Sequence, residues 1–523
     1  MNRKVSRRDF ARTSVGAGAA AAVALPTALL GAAATETGIS TKSSAAAKGA
    51  AVARRRRVAP PPEVGYGGMD STGRDMMLDE TAFASQTAVH PGGWRESTTI
   101  PAEYYLEDKH YQNDERFIAD HFWLMADHEN RIAKAGDYFV FEYGRGDSVI
   151  ILRDQAGAVK AFHNVCRHRG SRLCQHGPDS IHPSEARADG KPTDPRLSVV
   201  QLGPNGNTPV FRCPYHAWTY DLAGRLISTP NGMPEYFDPA QYGLHPCHVR
   251  TVEGFIFVSL SHQEPPDFDV FVANWRAACQ EYGTAQLKTV ARKQYPTRAN
   301  WKLAIENFRE CYHCGPSHTK SYHWVHQLQF LSEMNAAERA RVEEALAREG
   351  HAMPVIEDRR RQDRAAASVR QAAGAGGMGA GNSAQHLRPG YVTGSIDGKP
   401  VAPLLPAKKE FTHFTRYAAT GFSTSYLQAY DDHVAVARFT PRGVMSTDVE
   451  IFWMVNPTAK EADVDVDRMI ALWDLTYRED RWIVENNHLG LMSNRYSSGL
   501  YATSEGGPAS FIKWYMTEVI PSA

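Results

Sequence analysis

Asn164-Val-Cys166-Arg-His168-Arg-Gly-Ser-Arg-Leu173 and Phe211-Arg-Cys213-Pro-Tyr-His216-Ala-Trp218 each place a cysteine and a histidine in one tight loop. One such pair is ordinarily a core cysteine beside a surface histidine. Two pairs, each at a strand-to-turn boundary with Gly170 or Pro214 adjacent, form a donor set. Two thiolates and two neutral imidazoles suit tetrahedral zinc, or a [2Fe–2S] cluster with cysteines on one iron and histidines on the other. The residues alone leave both open. Outward from these loops the chain is strand-like, with β-rich runs at 138–143 and 149–152 and turns at 144–147 and 155–157. A strand pair interrupted at Gly254 covers 249–260, and a helix is expected around 115–126. The polar, Pro- and Gly-rich residues 177–207 read as an inserted surface loop.

A second constellation lies beyond residue 291, where helix and strand mix. Asn300-Trp-Lys302 leads to Glu306-Asn-Phe-Arg-Glu310-Cys-Tyr-His313-Cys-Gly-Pro-Ser-His318. On a continuous helix Glu310 and His313 share a face, because three residues turn about 300°. His318 would then lie about 140° further round than His313. Gly315-Pro316 is expected to break the helix and let the chain turn back, bringing both imidazoles to one metal. Two histidines with one carboxylate make the facial triad of a non-haem Fe(II) site with open positions. Further along, 336–348 reads as an amphipathic helix and 365–385 as Ala/Gly loop. Residues 422–455 read as successive antiparallel strands, and 464–489 as a long helix.

Taken together these stretches resemble the large subunit of the Rieske non-haem iron oxygenases. The likeness rests on C-x-H-R-G-S-x-L, on F-x-C-P-Y-H-x-W-x-Y ending at Tyr220, and on Asp221-Leu-Ala-Gly224. It continues through N-W-K, E-N-x-x-E-x-Y-H-x-x-x-x-H and Glu479-Asp480-x-x-Ile483-Val-Glu485-Asn486. The resemblance implies an α+β chain. An N-terminal all-β Rieske [2Fe–2S] domain would cover 96–290. A C-terminal helix-grip catalytic domain, with an antiparallel sheet and a long C-terminal helix, would cover 291–523. It implies that Cys166 and Cys213 bind one cluster iron and His168 and His216 the other. It implies His313, His318 and Asp480 as ligands of a mononuclear Fe(II), and a homotrimer. Glu310 takes the position of the acid that joins a Rieske histidine of one subunit to an iron-ligating histidine of its neighbour.

The extra disulfide cysteines of respiratory Rieske proteins are missing: 169–171 and 217–218 hold none. The gap between the two halves is longer than the family's, which marks 177–207 as an insertion. Cys311 and Cys314 also spell C-x-x-C, a redox-pair alternative that the intervening His313 counts against. With Cys166 and Cys213 assigned to the cluster, the other five of the seven cysteines need no disulfide pairing.

Glu310-Cys-Tyr-His-Cys314 and Tyr391-Val-Thr-Gly-Ser-Ile-Asp-Gly-Lys-Pro-Val401 are similar to the choline monooxygenase and glycine betaine demethylase branch. That likeness implies O2-dependent hydroxylation of a C–H bond, with oxidative N-demethylation of a quaternary ammonium compound. An aromatic cage holds such a cation well, and the C-terminal candidates are Tyr477, Trp482, Tyr496, Tyr501, Trp514 and Tyr515. No G-x-G-x-x-G fingerprint is present, so electrons for O2 and a small organic substrate are expected from a separate reductase or carrier. The alternatives are an aromatic-ring hydroxylating dioxygenase and an exported Rieske electron-transfer protein without oxygenase activity.

The 523 residues carry 58 Lys+Arg and 58 Asp+Glu, and this neutrality argues against a general nucleic-acid or anionic-membrane binder. The charge is unevenly spread. Residues 1–59 hold eleven basic and two acidic residues, giving +9 and leaving −9 for 60–523. Ser6-Arg7-Arg8-Asp9-Phe10, an uncharged Ala/Gly-rich run and Ala32-Ala33-Ala34 resemble a twin-arginine signal peptide over 1–34. A low-complexity linker over 35–95 follows. The expected location is periplasmic, or cytoplasmic if the signal is not used.

Overall fold

After helix α1 (Asp108–His121) and strand β1 (Leu124–His128), two strands carry nearly unbroken apolar runs: β2 (Asp137–Tyr143) and β3 (Asp147–Arg153). A strand reads this way when both of its faces are covered, and in the computed structural model both are. Tyr138, Val140, Ile150 and Leu152 point into one apolar cluster, while Phe139, Phe141, Tyr143, Val149 and Ile151 point into another. The structure describes residues 94–175, 201–326, 336–348, 350, 382–420, 424–502 and 505–521. The leader, nearly all of the linker and most of 177–207 therefore lie outside the described residues.

The β2–β3 wall extends on one side to β4 (Val159–His163) and on the other to β5 (Asn205–Asn207), all antiparallel. A small sheet of β6 (Phe211–Arg212), β7 (Thr219–Tyr220) and β8 (Leu226–Ser228) packs beside it. The hairpin of β9 (His248–Val252) and β10 (Phe255–Ser259) pairs with β1. It turns at Gly254 (φ 85°), where a Cβ would lie 2.1 Å from His128 Nε2, so no other residue fits there without displacing that ring.

Two expectations shift here. The helix expected at 115–126 runs from Asp108 to His121, because Trp123 to Ala126 are buried on consecutive residues and enter a strand. Asn205–Asn207, expected in the inserted loop, instead close the sheet by pairing with β2. Beside the backbone ladder, Asn207 Nδ2 donates to Asp137 Oδ1 (2.8 Å), and three exposed residues leave no apolar alternation to read.

The second half is built on a six-stranded antiparallel sheet in the order β11–β16–β15–β14–β13–β12. Its members are β11 (Lys288–Thr297), β12 (Asn382–His386), β13 (Phe414–Ala419), β14 (Ser425–Ala429), β15 (His433–Gly443) and β16 (Ser446–Val455). β12 corrects the last four residues of the loop expected over 365–385, since it pairs with Phe414–Ala418; residues 365–381 lie outside the described residues. The helices include α2 (Ala273–Tyr282), α3 (Trp301–Phe308), α4 (Cys314–Ser317), α5 (Ala336–Arg348), α6 (Val466–Leu491) and α7 (Gly506–Trp514), with four-residue helices at Glu103–Leu106, Phe268–Phe271 and Tyr322–Val325. The long helix expected over 464–489 is α6. Its buried residues Met469, Leu472, Trp473, Thr476, Tyr477, Asp480, Val484, His488 and Leu491 form one stripe, singly or in adjacent pairs at intervals of three or four positions.

One continuous core takes in side chains from Trp94 to Val519, so the β-rich part and the six-stranded part share packing. Asn300-Trp301-Lys302 is where they lock. The Asn300 side chain caps α3 by accepting from Lys302 N–H (3.1 Å) and donates to the Tyr105 carbonyl (2.9 Å). Lys302 and Asp114 form an ion pair with both side chains wholly buried, and Asp114 also accepts from Trp301 Nε1 (3.0 Å) and the Tyr515 hydroxyl (2.8 Å). This network fixes α3 against α1. Among the described residues no helix is long and apolar enough to cross a membrane.

Candidate metal centres

The two Cys–His loops are built alike. Cys166 N–H donates to the Ser171 carbonyl (2.8 Å) and Gly170 N–H to the Cys166 carbonyl (3.0 Å). Cys213 N–H donates to the Trp218 carbonyl (2.8 Å) and Ala217 N–H to the Cys213 carbonyl (3.0 Å). The fourth residue after each cysteine is left-handed, Gly170 at φ 77° and Ala217 at φ 60°. For alanine that conformation costs roughly 1–2 kcal/mol, a strain of the kind held at functional sites.

The loops bring their side chains together. The His168 and His216 ring centroids are 4.5 Å apart, and Trp218 stacks on His168 at 4.7 Å. Both cysteines are buried while His168 is exposed and His216 half-buried. The Tyr220 hydroxyl lies 3.3 Å from Cys166 Sγ and accepts from Arg167 N–H (3.0 Å). The two thiols hydrogen bond to each other, which pushes Cys166 up and holds Cys213 below the usual thiol range. His216 Nδ1 is buried with no hydrogen-bond partner among the described residues. A buried imidazole nitrogen without a partner, in the loop that also carries buried Cys213, fits a cluster with cysteines inside and histidines toward solvent.

The second group converges as well. His313 Nε2 is 3.2 Å and His318 Nε2 3.0 Å from the same oxygen, Asp480 Oδ1, and the two rings are nearly perpendicular with centroids 5.2 Å apart. Each remaining imidazole nitrogen has its own carboxylate. Glu310 holds His313 Nδ1, and Glu479 Oε2 holds His318 Nδ1 at 2.8 Å while accepting from the Ser321 hydroxyl at 2.6 Å. Asn307 Nδ2 lies 3.4 Å from His313 Nε2. Burial alone would lower the His313 imidazole, but its hydrogen bonds to Asp480 and Glu310 outweigh burial and raise it to about 9. His318 is raised for the same reason. Two nitrogens and one carboxylate oxygen facing each other, with the outer nitrogens oriented by acids, fit a divalent metal that would displace those protons.

The route by which the chain delivers these residues differs from expectation. Helix α3 stops at Phe308, and the break falls at Arg309–Glu310 instead of at Gly315-Pro316. There the Glu310 carboxylate accepts from the backbone N–H groups of Tyr312 and His313, satisfying donors a helix would otherwise pair. Gly315 and Pro316 sit inside the short helix α4, where a proline in the first turn loses no hydrogen bond. Cys311 and Cys314 are joined as a disulfide (Cα–Cα 4.8 Å), which corrects the expectation that no cysteine outside the cluster is paired. Residues 311–313 lie outside any helix, and the chain there brings the two cysteines within bridging distance.

Two features escaped the sequence reading. Glu479 stood beside Asp480 in the quoted motif but was given no role. The second is a tight apolar pocket of about 10 Å³, room for about one water molecule, walled by Phe308, Tyr417, Tyr426, Trp473, Gln428 and small or aliphatic side chains. The aromatics expected as a cage are engaged elsewhere. Tyr477 and Thr297 are hydrogen bonded through their hydroxyls, Tyr501 donates to Glu306, Tyr496 to the Ile100 carbonyl, and Tyr515 to Asp114. Trp514 packs on Phe117 and Phe122, and Trp482 is 70% exposed.

Comparison with known proteins matches this geometry to a family. The Rieske [2Fe-2S] domain family matches residues 122–238, and the family described as ring hydroxylating alpha subunit (catalytic domain) matches 284–519. The second match removes the alternative of a Rieske carrier without a catalytic domain. The chain is 30% identical over 426 residues to the glycine betaine monooxygenase oxygenase subunit of Pseudomonas aeruginosa, covering 81% of this chain and 90% of that one. It is 32% identical over 422 residues to its namesake from Chromohalobacter salexigens, covering 80% and 85%. Among solved structures, a quaternary ammonium Rieske monooxygenase bound to L-carnitine superposes with TM-score 0.53 at 20% identity, covering 81% of this chain and 96% of that one. Naphthalene 1,2-dioxygenase from a Rhodococcus species bound to indole superposes with TM-score 0.54 at 17% identity, covering 82% and 95%. One fold thus serves a cation and a flat hydrocarbon, and the fold does not choose between them.

Proposed function

The chain belongs to the Rieske non-haem iron oxygenases, as a large subunit, and from that premise we propose that it hydroxylates a methyl C–H bond next to a quaternary nitrogen. The N-hydroxymethyl product would then lose formaldehyde, which makes the reaction an oxidative N-demethylation of a betaine-like compound. Cys166, His168, Cys213 and His216 would hold the [2Fe–2S] cluster, and His313, His318 and Asp480 a mononuclear Fe(II). When bound, the iron supplies O2 activation, drawing two electrons that a separate reductase or carrier provides. The protein's own groups set the stage for that chemistry. Glu310 and Glu479 orient the two imidazoles, and Asp480 keeps its carboxylate between them. In a homotrimer Glu310 would also face a neighbour's cluster histidine and carry the path between centres.

The observation that carries the substrate class is the likeness to two glycine betaine monooxygenase oxygenase subunits, at 30% identity over 426 residues and 32% over 422. Phe308, Tyr417, Tyr426 and Trp473 offer aromatic faces worth about 2 kcal/mol to a desolvated trimethylammonium group, in a cavity that has to open to admit it and that no charged side chain lines. The cavity is built from the elements that carry the proposed ligands: Phe308 ends α3 just before Glu310, and Trp473 lies two turns before Asp480 on α6.

The test is turnover of glycine betaine by the iron-loaded protein with an electron donor under labelled O2. The expected result is one formaldehyde and one dimethylated amine per two electrons consumed. No turnover of any quaternary amine, with an aromatic substrate instead gaining both labelled atoms as a cis-diol, would overturn the proposal in favour of ring dioxygenation. Export by the twin-arginine route is proposed on Arg7-Arg8 and Ala32 to Ala34 alone. Amino-terminal sequencing of periplasmic protein should begin near Thr35, and an intact Met1 in the cytoplasm would rule it out.

A further inference from the structure

Cys314 is the residue the mechanism leaves unused although it stands in the site. Its sulfur lies 3.9 Å from His313 Nε2, and His313, Cys314 and His318 offer donor atoms that all fall within 4.8 Å of one another. As observed, that sulfur is bonded to Cys311 across the iron-site loop. A disulfide sulfur is a poor metal donor, whereas a thiolate is among the best for zinc. Cys311 is half-buried and Cys314 buried, so a reductant reaches the bond from the Cys311 side.

We propose that Cys311–Cys314 is a thiol–disulfide switch that decides which metal the His313, His318 and Asp480 site retains, a proposal that rests on reading that site as a metal centre. In the oxidised form two imidazoles and a carboxylate hold the ion and leave positions open for O2. Reduction breaks the S–S bond: a dithiol reductant delivers two electrons, protons complete the two thiols, and the reductant closes to its own disulfide. Cys314 then gives its proton to solvent as it ligates. Two imidazoles, one carboxylate and one thiolate complete a tetrahedral shell that zinc fills and that has no open position. The return to the disulfide requires a thiol oxidant of the disulfide class.

The test uses the full chain with its cluster retained, checked by visible absorption. Trypsin frees Glu310–Lys320, which contains Cys311 and Cys314 and no other cysteine. Alkylation before digestion should leave this peptide unmodified in air-purified protein and doubly modified after dithiothreitol. Zinc affinity, measured after gel filtration under argon, should rise on reduction by more than the roughly 10- to 100-fold that an outer-sphere change produces. Cys314→Ser should bind zinc at the weak, oxidised level in either buffer, and Cys311→Ser at the tight level in either buffer. A doubly alkylated peptide from unreduced protein, or equal zinc affinity in both states, overturns the switch while leaving the metal site standing. No metal bound in either state, with His318→Ala indistinguishable from the parent, overturns the metal-site reading and the switch with it.

Discussion

Replacing Glu479 tests whether the second carboxylate at His318 works through the metal site. Its Oε2 accepts from His318 Nδ1 at 2.8 Å and from the Ser321 hydroxyl at 2.6 Å, so it keeps the Nδ1 proton in place and turns Nε2 toward Asp480 and the position a metal would take. Removing an outer-sphere partner of a metal-ligating histidine costs about 10- to 100-fold in affinity, or about 1.4–2.7 kcal/mol. The Glu479 side chain is 28% exposed, so water replaces part of what is lost and Glu479→Gln, which keeps one acceptor oxygen, belongs near tenfold. Glu479→Ala also strands the wholly buried Ser321 hydroxyl and frees the ring, and belongs near hundredfold. Competition with a graded series of chelators, on protein whose cluster absorption is intact, reads the affinity directly. If Glu479→Ala binds Fe(II) or zinc as tightly as the parent while His318→Ala loses it, the orienting role is wrong and Glu479 only ties Ser321 to α6.

Three further outcomes follow from the packing. Lys302→Met leaves Asp114 as a buried charge without its cation, and should cost about 3–5 kcal/mol in urea unfolding; a loss below about 1 kcal/mol would mean that Trp301 and Tyr515 satisfy Asp114 alone. Burial raises the Glu306 carboxyl from 4.5 to about 7, against the phenol hydrogen bonds from Tyr501 and Tyr105 that lower it. A carboxyl raised on folding binds its proton more tightly in the native state. The stability it confers is present below about pH 4.5 and lost as pH rises to about 7, up to about 3 kcal/mol in all. Glu306→Gln should therefore flatten unfolding free energy against pH in that window, and an unchanged slope would assign the dependence to other groups. Trp473→Leu removes one wall of the aromatic cavity and should raise KM for a quaternary amine about tenfold, with iron content unchanged; equal KM would place the substrate elsewhere.

What was legible in the sequence was whatever is local along the chain. Cys166 with His168, and Cys213 with His216, sit in loops whose hydrogen bonds close within five residues. Strands β2 and β3 advertise themselves because both of their faces are apolar. Asp480 is different: 162 residues separate it from His318, and on its own it is one acid among many on α6, so only the family likeness singled it out. Once it is placed, helix geometry explains its neighbour. Successive residues diverge by about 100°, which lets Glu479 reach Nδ1 of the same ring whose Nε2 meets Asp480. The aromatic cavity was missed because Phe308, Tyr417, Tyr426 and Trp473 come from four elements, while the C-terminal aromatics looked available from their number alone. A signal for one of them was present. Seven residues turn about 700°, within about 20° of a whole number of turns, so Trp473 must project on nearly the same face of α6 as Asp480. Trp482, two residues past Asp480 and about 200° round the helix, must project away, and it is the one found 70% exposed. The choice among aromatics therefore turned on helical phase relative to Asp480, a quantity the sequence contains.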